Sequence, residues 1–298
     1  MQNTRRLTNL ARLLLLRRTA TTAATQATSA SGVDGGGGAE ETTHFGYQTV
    51  KESEKEHKVH EVFEQVAKSY DLMNDAMSMG IHRVWKDIFI ERLGPTHGMR
   101  LLDMAGGTGD ISFRYLKYLA KQPNPQQRQS HVTVSDINQH MLNVGEERAR
   151  QLGLTVEQLP NASIDWQCAD AEKLPFKSDS FTAYTIAFGI RNCTHVDKVL
   201  SEAYRVLQPG GRFMCLEFSH LNNEAMQWLY DQYSFQVIPP MGQLLAGQWH
   251  AYQYLVESIR RFPRQEQFKS MIEDAGFVNA TYENLTFGVV SIHSGFKL

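Results

Sequence analysis

The chain has 298 residues, 42% of them hydrophobic and 21% charged, with a formal net charge of −2. It lacks the basic excess that marks nucleic-acid binders, so nucleic acid is not an expected partner. Its three cysteines, Cys168, Cys193 and Cys215, form no CxxC pair. That argues against a zinc cage or a redox dithiol, and no metal is expected.

The amino-terminal stretch "MQNTRRLTNLARLLLLRRTATTAATQATSAS" carries Arg5, Arg6, Arg12, Arg17 and Arg18 among many Ser and Thr, with no acid before Asp34. The pattern predicts a mitochondrial transit peptide. "LLLL" flanked by arginines is too short for a secretory core or for a membrane span of roughly 18 apolar residues. "GVDGGGG" reads as a flexible linker, so residues 1–43 are expected to be leader and linker, with one ordered domain from about His44.

Residues 55–70 place Val59, Val62, Phe63, Val66, Ala67 and Tyr70 three and four apart, the apolar face of a helix. The following "DLMNDAMSMGIHRVWKDIFIERLG" reads as loop and then helix, ending before Gly94-Pro95. Residues 44–95 thus precede the first strand as a helical lid. From Met99 strand and helix alternate: "MRLLDM", a glycine turn and "DISFRYLKYLAK"; "HVTVSDI" and "NQHMLNVGEERARQLG"; "SIDWQCAD"; then "FTAYTIAFG" and "HVDKVLSEAYRVL". The fifth strand, "GGRFMCLEFS", is led in by a turn at Pro209-Gly210-Gly211. This is the signature of an α/β fold with a mostly parallel sheet, its core spanning 96–220. Residues 221–265 break the rhythm and read as a cap over the substrate. Residues 266–298 supply a last helix and two adjacent strands, an antiparallel edge pair that brings the sheet to seven.

In open α/β sheets ligands bind beyond the carboxyl ends of the strands. Here those ends carry "DMAGGTGD", Asp136, Asp170-Ala171 and "FGIRN". A glycine turn commonly cradles a pyrophosphate, but the third glycine of GxGxxG is missing and acids surround the turn. A carboxylate about 4 Å from a phosphate charge costs about 4 kcal/mol at an effective dielectric of 20. S-adenosylmethionine offers the same adenosine with an ammonium and a sulfonium in place of phosphates, and suits such a pocket. Asp103, Gly106, Gly107 and Thr108 then border the methionine part. Asp136 takes the ribose hydroxyls, and Asp170 with the Ala171 amide reads the adenine edge. For any single acid a helix N-cap is the alternative role.

"YDLMNDAMSMGIHRVWK" and "RVLQPGGRFMCLEFS" resemble the two signatures of the ubiquinone and menaquinone C-methyltransferase family. "DMAGGTGD", "FGIRN" and the terminal "LTFGVVSIHSGFK" match as well, so the resemblance covers the chain from about residue 45. Two positions depart from the pattern: Gln208 stands where a basic residue is usual, and Ala187 where some relatives carry a hydroxyl before "FG". The resemblance implies a class I S-adenosylmethionine-dependent methyltransferase, Rossmann-like, that methylates a ring carbon of a polyprenylated quinol in ubiquinone synthesis. It also implies work beside other enzymes of a ubiquinone-synthesis complex, on the matrix side of the mitochondrial inner membrane as a peripheral protein. A ring carbon is a poor nucleophile until an adjacent hydroxyl loses its proton, so phenolate stabilisation and alignment are needed. Arg191 is the first candidate, as a fixed cation; Asn192 and Tyr70 are candidates to hold the ring oxygen. His82 is the conventional base by pKa, its alternative role being packing near Trp85. His195, His250 and His293 read as structural. Apolar residues within 221–255, from Met226 to Tyr254, are candidate walls for the polyprenyl tail or for packing on the sheet or on a second subunit. An O- or N-methyltransferase, or a scaffold in the complex, are the competing readings.

Overall fold

The computed structural model describes residues 41–66, 70–154, 159 and 161–298, with the backbone alone at 63–66 and 70–72. The leader and all but the end of the linker region read from the sequence lie outside the described residues. The first described element is an antiparallel hairpin, β1 (Thr42–Phe45) and β2 (Gln48–Lys51), turning at Gly46. Strands of four residues are too short for an alternating pattern to register, so the sequence alone gives no hairpin here. Helix α1 (Glu52–Val66) starts three residues before the expected stretch, with Glu52 and Glu54 in a first turn that favours acids. The stretch expected as loop is instead helix α2 (Tyr70–Ser78). Its Asn and Asp favour turns, but Met73 is buried against Ile238, Tyr252 and Val256, and this packing overrides local preference. Helix α3 (Ile81–Leu93) ends at Gly94 in the left-handed region, whose N–H donates to the Ile90 carbonyl just before Pro95.

The core follows as β3 (Arg100–Met104), α4 (Asp110–Leu119), β4 (Ser130–Asp136), α5 (Gln139–Gln151), β5 (Ala162–Cys168), β6 (Phe181–Ala187), a 3₁₀ turn (Ile190–Asn192), α6 (Val196–Val206) and β7 (Leu207–Phe218). Helices α7 (Glu224–Gln236), α8 (Ile238–Ala246) and α9 (Trp249–Arg261) form the cap, and α10 (Gln265–Asp274), β8 (Val278–Leu285) and β9 (Val290–Phe296) complete the fold. The seven-stranded sheet has the order β5-β4-β3-β6-β7-β9-β8, parallel except that β9 runs antiparallel to both neighbours. Strand parity feeds two cores: Leu101 packs with Val132 and Val134 on one face, Leu102 and Met104 with Tyr184 and Phe213 on the other. Strand order reverses between β3 and β6, and the crevice opens there. Pro209-Gly210-Gly211 lies inside β7 as a bulge: Phe181 pairs with Leu207 but Ala183 with Arg212, and the Gly210 N–H donates to the Lys297 carbonyl at 2.7 Å.

The cap is packed tightly enough to test. Helix α8 meets α9 at Gly242, where a Cβ would stand 2.1 Å from Cδ2 of Tyr252. Gly242→Ala is expected to cost ~1–3 kcal/mol, read as a lower urea midpoint; an unchanged midpoint would show that this contact yields without cost.

Candidate active site

The carboxyl ends of β3, β4, β5 and β6 border a cavity of about 360 Å³ lined by Asp103, Gly106, Gly107, Thr108, Asp136, Asp170, Ala171 and Asn192. All the residues singled out for the cofactor therefore meet in one place, with Asn192 beside them. The loop after β3 departs from strand geometry at once, with φ of 50° at Ala105, 51° at Gly107 and 83° at Gly109. Gly106 has no room for a side chain: a Cβ there would lie 2.7 Å from Cγ1 of Val134 and 2.9 Å from the Asp103 carbonyl oxygen. Backbone amides thereby reach the cavity edge.

The acids play different parts. Asp103 is fully buried, and its carboxylate accepts from the Ser112 hydroxyl at 2.6 Å and the Thr185 hydroxyl at 3.0 Å. Burial raises its pKa to about 6, against those two hydrogen bonds. Its polar partners are thus internal, beneath the loop. Asp110 accepts from Lys86 Nζ at 2.8 Å and Arg114 Nε at 3.1 Å. Burial works to raise its pKa, but the two cations prevail and the net shift is downward. Asp136 receives the Gly107 N–H on one oxygen and the Asn138 N–H on the other, each at 2.9 Å. A carboxylate has acceptor capacity beyond these amides, which suits ribose hydroxyls. Asp170 is exposed and accepts the Glu172 N–H at 2.9 Å, while Ala171 is buried beside it. The Thr108 hydroxyl accepts from Arg148 at 2.9 Å.

Helix α1 covers this cavity with Glu52, Glu56 and His60. The buried Lys55 donates to the Cys193 carbonyl at 2.9 Å. His195 joins Glu172 through Nδ1 at 2.7 Å and Glu52 through Nε2 at 3.0 Å, and the Glu172 hydrogen bond foremost raises its pKa. His195 therefore ties the cover to the rim, a part its sequence context did not reveal.

A second cavity, about 330 Å³, is mostly apolar, with Met77, Trp85, Phe218, Tyr233, Tyr252 and Tyr254 in its wall beside His82, Lys86 and Arg191. Lys86 and Phe188 line both cavities. Phe188 has a φ of 57°, rare for a bulky residue, and its N–H donates to the Leu216 carbonyl at 2.8 Å. The Arg191 guanidinium is buried against Glu217, 3.0 and 3.2 Å from its two oxygens, and lies over the Phe218 ring. The partner carboxylate stands on strand β7. Burial pushes the Glu217 pKa up, opposed by Arg191. His82 is buried and holds Asp75 through Nε2 at 2.8 Å; burial foremost lowers its pKa. Tyr70 begins α2, and its side chain lies outside the described residues. Of the candidate tail walls, Tyr230, Tyr233, Ile238, Tyr252 and Tyr254 line the cavity, while Met226, Trp228, Leu229, Val237 and Trp249 are exposed.

The sequence profile of the ubiE/COQ5 methyltransferase family matches residues 51–297. The chain belongs to this family. It is a methyltransferase, and its methyl donor is S-adenosylmethionine. A protein of Drosophila melanogaster named mitochondrial 2-methoxy-6-polyprenyl-1,4-benzoquinol methylase is 86% identical over 259 residues, 87% of this chain and 86% of that one. The Homo sapiens protein of the same name is 54% identical, over 86% of this chain and 84% of its own. Among solved structures, a Thermotoga maritima S-adenosylmethionine-dependent methyltransferase, a possible histamine N-methyltransferase, shares the fold with a TM-score of 0.52 at 16% identity, over 80% of this chain and all of its own.

Several residues of the methyltransferase site escaped the reading of the sequence. Lys86 had a signal: with His82, Trp85 and Phe89 it falls on the buried face of α3, a charge where an apolar residue is the norm. Glu217 and Glu172 act through partners distant in sequence, for which no local signal exists, and the bond of Tyr254, a residue read as a tail wall, to Asn192 had none either.

Asp103 gives a test of its buried state. Its pKa of about 6 folded stands above the ordinary 3.8, so this group favours the folded state below about pH 4, and that contribution is lost as pH rises through 6. The stability of the wild type relative to Asp103→Asn is therefore expected to fall between pH 4 and 7 by on the order of 3 kcal/mol in urea unfolding. A flat difference would show that the carboxyl titrates as an exposed one does.

Proposed function

We propose that this methyltransferase transfers the methyl group to a ring carbon of a polyprenylated benzoquinol, 2-methoxy-6-polyprenyl-1,4-benzoquinol, in ubiquinone synthesis. The observation that carries the reading is the shared wall: a carboxylate-rich cavity and an apolar cavity meet at Lys86 and Phe188, with the buried Arg191 on the apolar side. The names of the relatives support the same substrate. S-adenosylmethionine, when bound, supplies an electrophilic methyl group.

The residues divide the remaining work. Asp136 holds the ribose hydroxyls, Asp170 and the Ala171 amide read the adenine, and Gly106, Gly107 and Thr108 border the methionine part. Asp103 braces the loop from below. Arg191, fixed by Glu217, places a positive charge that lowers the pKa of a quinol hydroxyl. His82, its pKa lowered and its ring held by Asp75, is a neutral imidazole suited to take that proton. Asn192 and Tyr70 hold the ring oxygen.

Among the described residues no helix is long and apolar enough to cross a membrane. Met79 and Ile81 line the apolar cavity and are exposed, with Phe287 exposed beside the lining Thr286. This rim fits peripheral contact with the matrix face of the inner membrane, where a polyprenylated substrate resides, after import on residues 1–43 as leader and linker. The exposed Trp228, Leu229 and Leu244 of the cap fit docking of partner enzymes of ubiquinone synthesis or of a second copy of the chain.

Incubation with methyl-labelled S-adenosylmethionine and a demethylated short-chain quinol is expected to place the label on ring carbon; label on oxygen alone would replace this reading with O-methylation. Arg191→Met is expected to lower kcat roughly 100-fold with KM for S-adenosylmethionine little changed, and Asp136→Asn to raise that KM roughly tenfold or more.

A further inference from the structure

The hairpin at the start of the described residues reaches the edge of the donor cavity through one hydrogen bond. Tyr254 on α9 is 5% exposed, lines the apolar cavity, and donates its hydroxyl to Oδ1 of Asn192 at 3.0 Å. Asn192 in turn lines the carboxylate-rich cavity. The Tyr254 ring is stacked on Phe45 of β1, centroids 4.1 Å apart and planes at 11°. The hairpin is itself fixed on α9: the Tyr47 N–H donates to Glu257 at 2.9 Å, and Arg261 lies over the Tyr47 ring. At Gly46 a Cβ would come 2.3 Å from the same Glu257 carboxylate, so the turn is seated without a gap. The matched family profile begins at residue 51, so β1 and most of β2 precede it.

A primary amide offers an acceptor at one end and two donors at the other, and a half-turn about its last bond exchanges them. We propose that Phe45 and Tyr254 are positioning residues that fix this choice: with the amide oxygen occupied by the Tyr254 hydroxyl, Asn192 presents its NH₂ group to the acceptor. The inference rests on the reading of Asn192 given above. It adds a selectivity. A quinol oxygen that has lost its proton can only accept, so an amide locked with its NH₂ forward favours the quinolate, the form in which the ring carbon is nucleophilic. A freely turning amide would serve the neutral hydroxyl equally well. The aromatic stack holds the Tyr254 ring, and hence its oxygen, in one place, and the direction of the bond, the hydroxyl donating to Asn192 Oδ1, makes the choice.

The test is a double-mutant cycle on the full chain, with a short-chain quinol and steady-state methyl transfer. Tyr254→Phe is expected to lower kcat roughly tenfold with KM for S-adenosylmethionine within about twofold, and Phe45→Ala to lower it in the same direction by less. Asn192→Asp, which keeps an acceptor for the tyrosine but has no NH₂, is expected to lose at least as much as Tyr254→Phe. The double variant Tyr254→Phe with Asn192→Asp is expected to be no slower than Asn192→Asp alone. Unchanged kcat in Tyr254→Phe beside a slow Asn192→Asp would overturn the positioning role and leave the Asn192 reading intact. Losses that multiply in the double variant would also overturn it, since two independent structural defects do that. Full activity in Asn192→Asp would instead remove the role of Asn192 itself, and this inference with it.

Discussion

The site depends on the contact of two turns at the switch point of the sheet. β3 and β6 are neighbours, so the residues that leave them meet: Gly189 lies so close to Ala105 that a Cβ on the glycine would stand 2.4 Å from the alanine methyl. Ala105 and Phe188 both adopt a positive φ, at 50° and 57°. That conformation costs a non-glycine residue on the order of 1–2 kcal/mol, and the surrounding packing must supply it. The return is geometric. The chain after β3 turns sharply into the amide-rich loop, and Phe188 is thrown upward as the partition between the two cavities. A side chain at position 189 would push the turns apart and open that partition.

Charge is taken into this region in balanced sets. Arg191 is set against Glu217, Lys86 against Asp110, with Arg114 on the far side of the same carboxylate, and Asp103 against two hydroxyls. Such buried pairs add little to stability, because the cost of removing both charges from water consumes most of their attraction. What they provide is position. A guanidinium bound by both oxygens of a carboxylate cannot swing, and a lysine tied to the first residue of α4 fixes α3 against the glycine loop. Where stability alone was needed, as behind β3, the chain uses Leu101, Phe113 and Val134.

The parts that were legible in the sequence are those encoded locally. Alternating strands and helices announce the parallel sheet, and acids at successive strand ends announce a cationic nucleotide-like ligand. The partners of Asp103 were not legible: the sequence marks it as an acid at a strand end bordering the cavity, but Ser112 and Thr185, which donate to its carboxylate, meet it only in the fold. The hairpin was not legible, because four-residue strands leave no period. Nor was α2, whose turn-forming residues are held helical by Met73. Arg191 shows in the sequence as a cation at a strand end, but nothing local says that Glu217 waits on the adjacent strand. That pairing exists only once β6 and β7 lie side by side.

The two cavities share a rigid floor and differ in their covers. The floor is the sheet edge and its strained turns, with few ways to deform. The cover of the donor side is α1, held by polar contacts of Lys55 and of Glu52 with His195, which water can replace more readily than it can replace a packed core. The cover of the acceptor side is α2, α3 and the cap, held by apolar packing around Met73, Ile238 and Tyr252. A charged donor and an apolar acceptor require different doors. The hairpin touches both covers: it leads directly into α1 and stacks on α9 through Phe45 and Tyr254. The two covers therefore meet at the hairpin, and Tyr254 carries that contact on to Asn192 at the edge of the donor cavity.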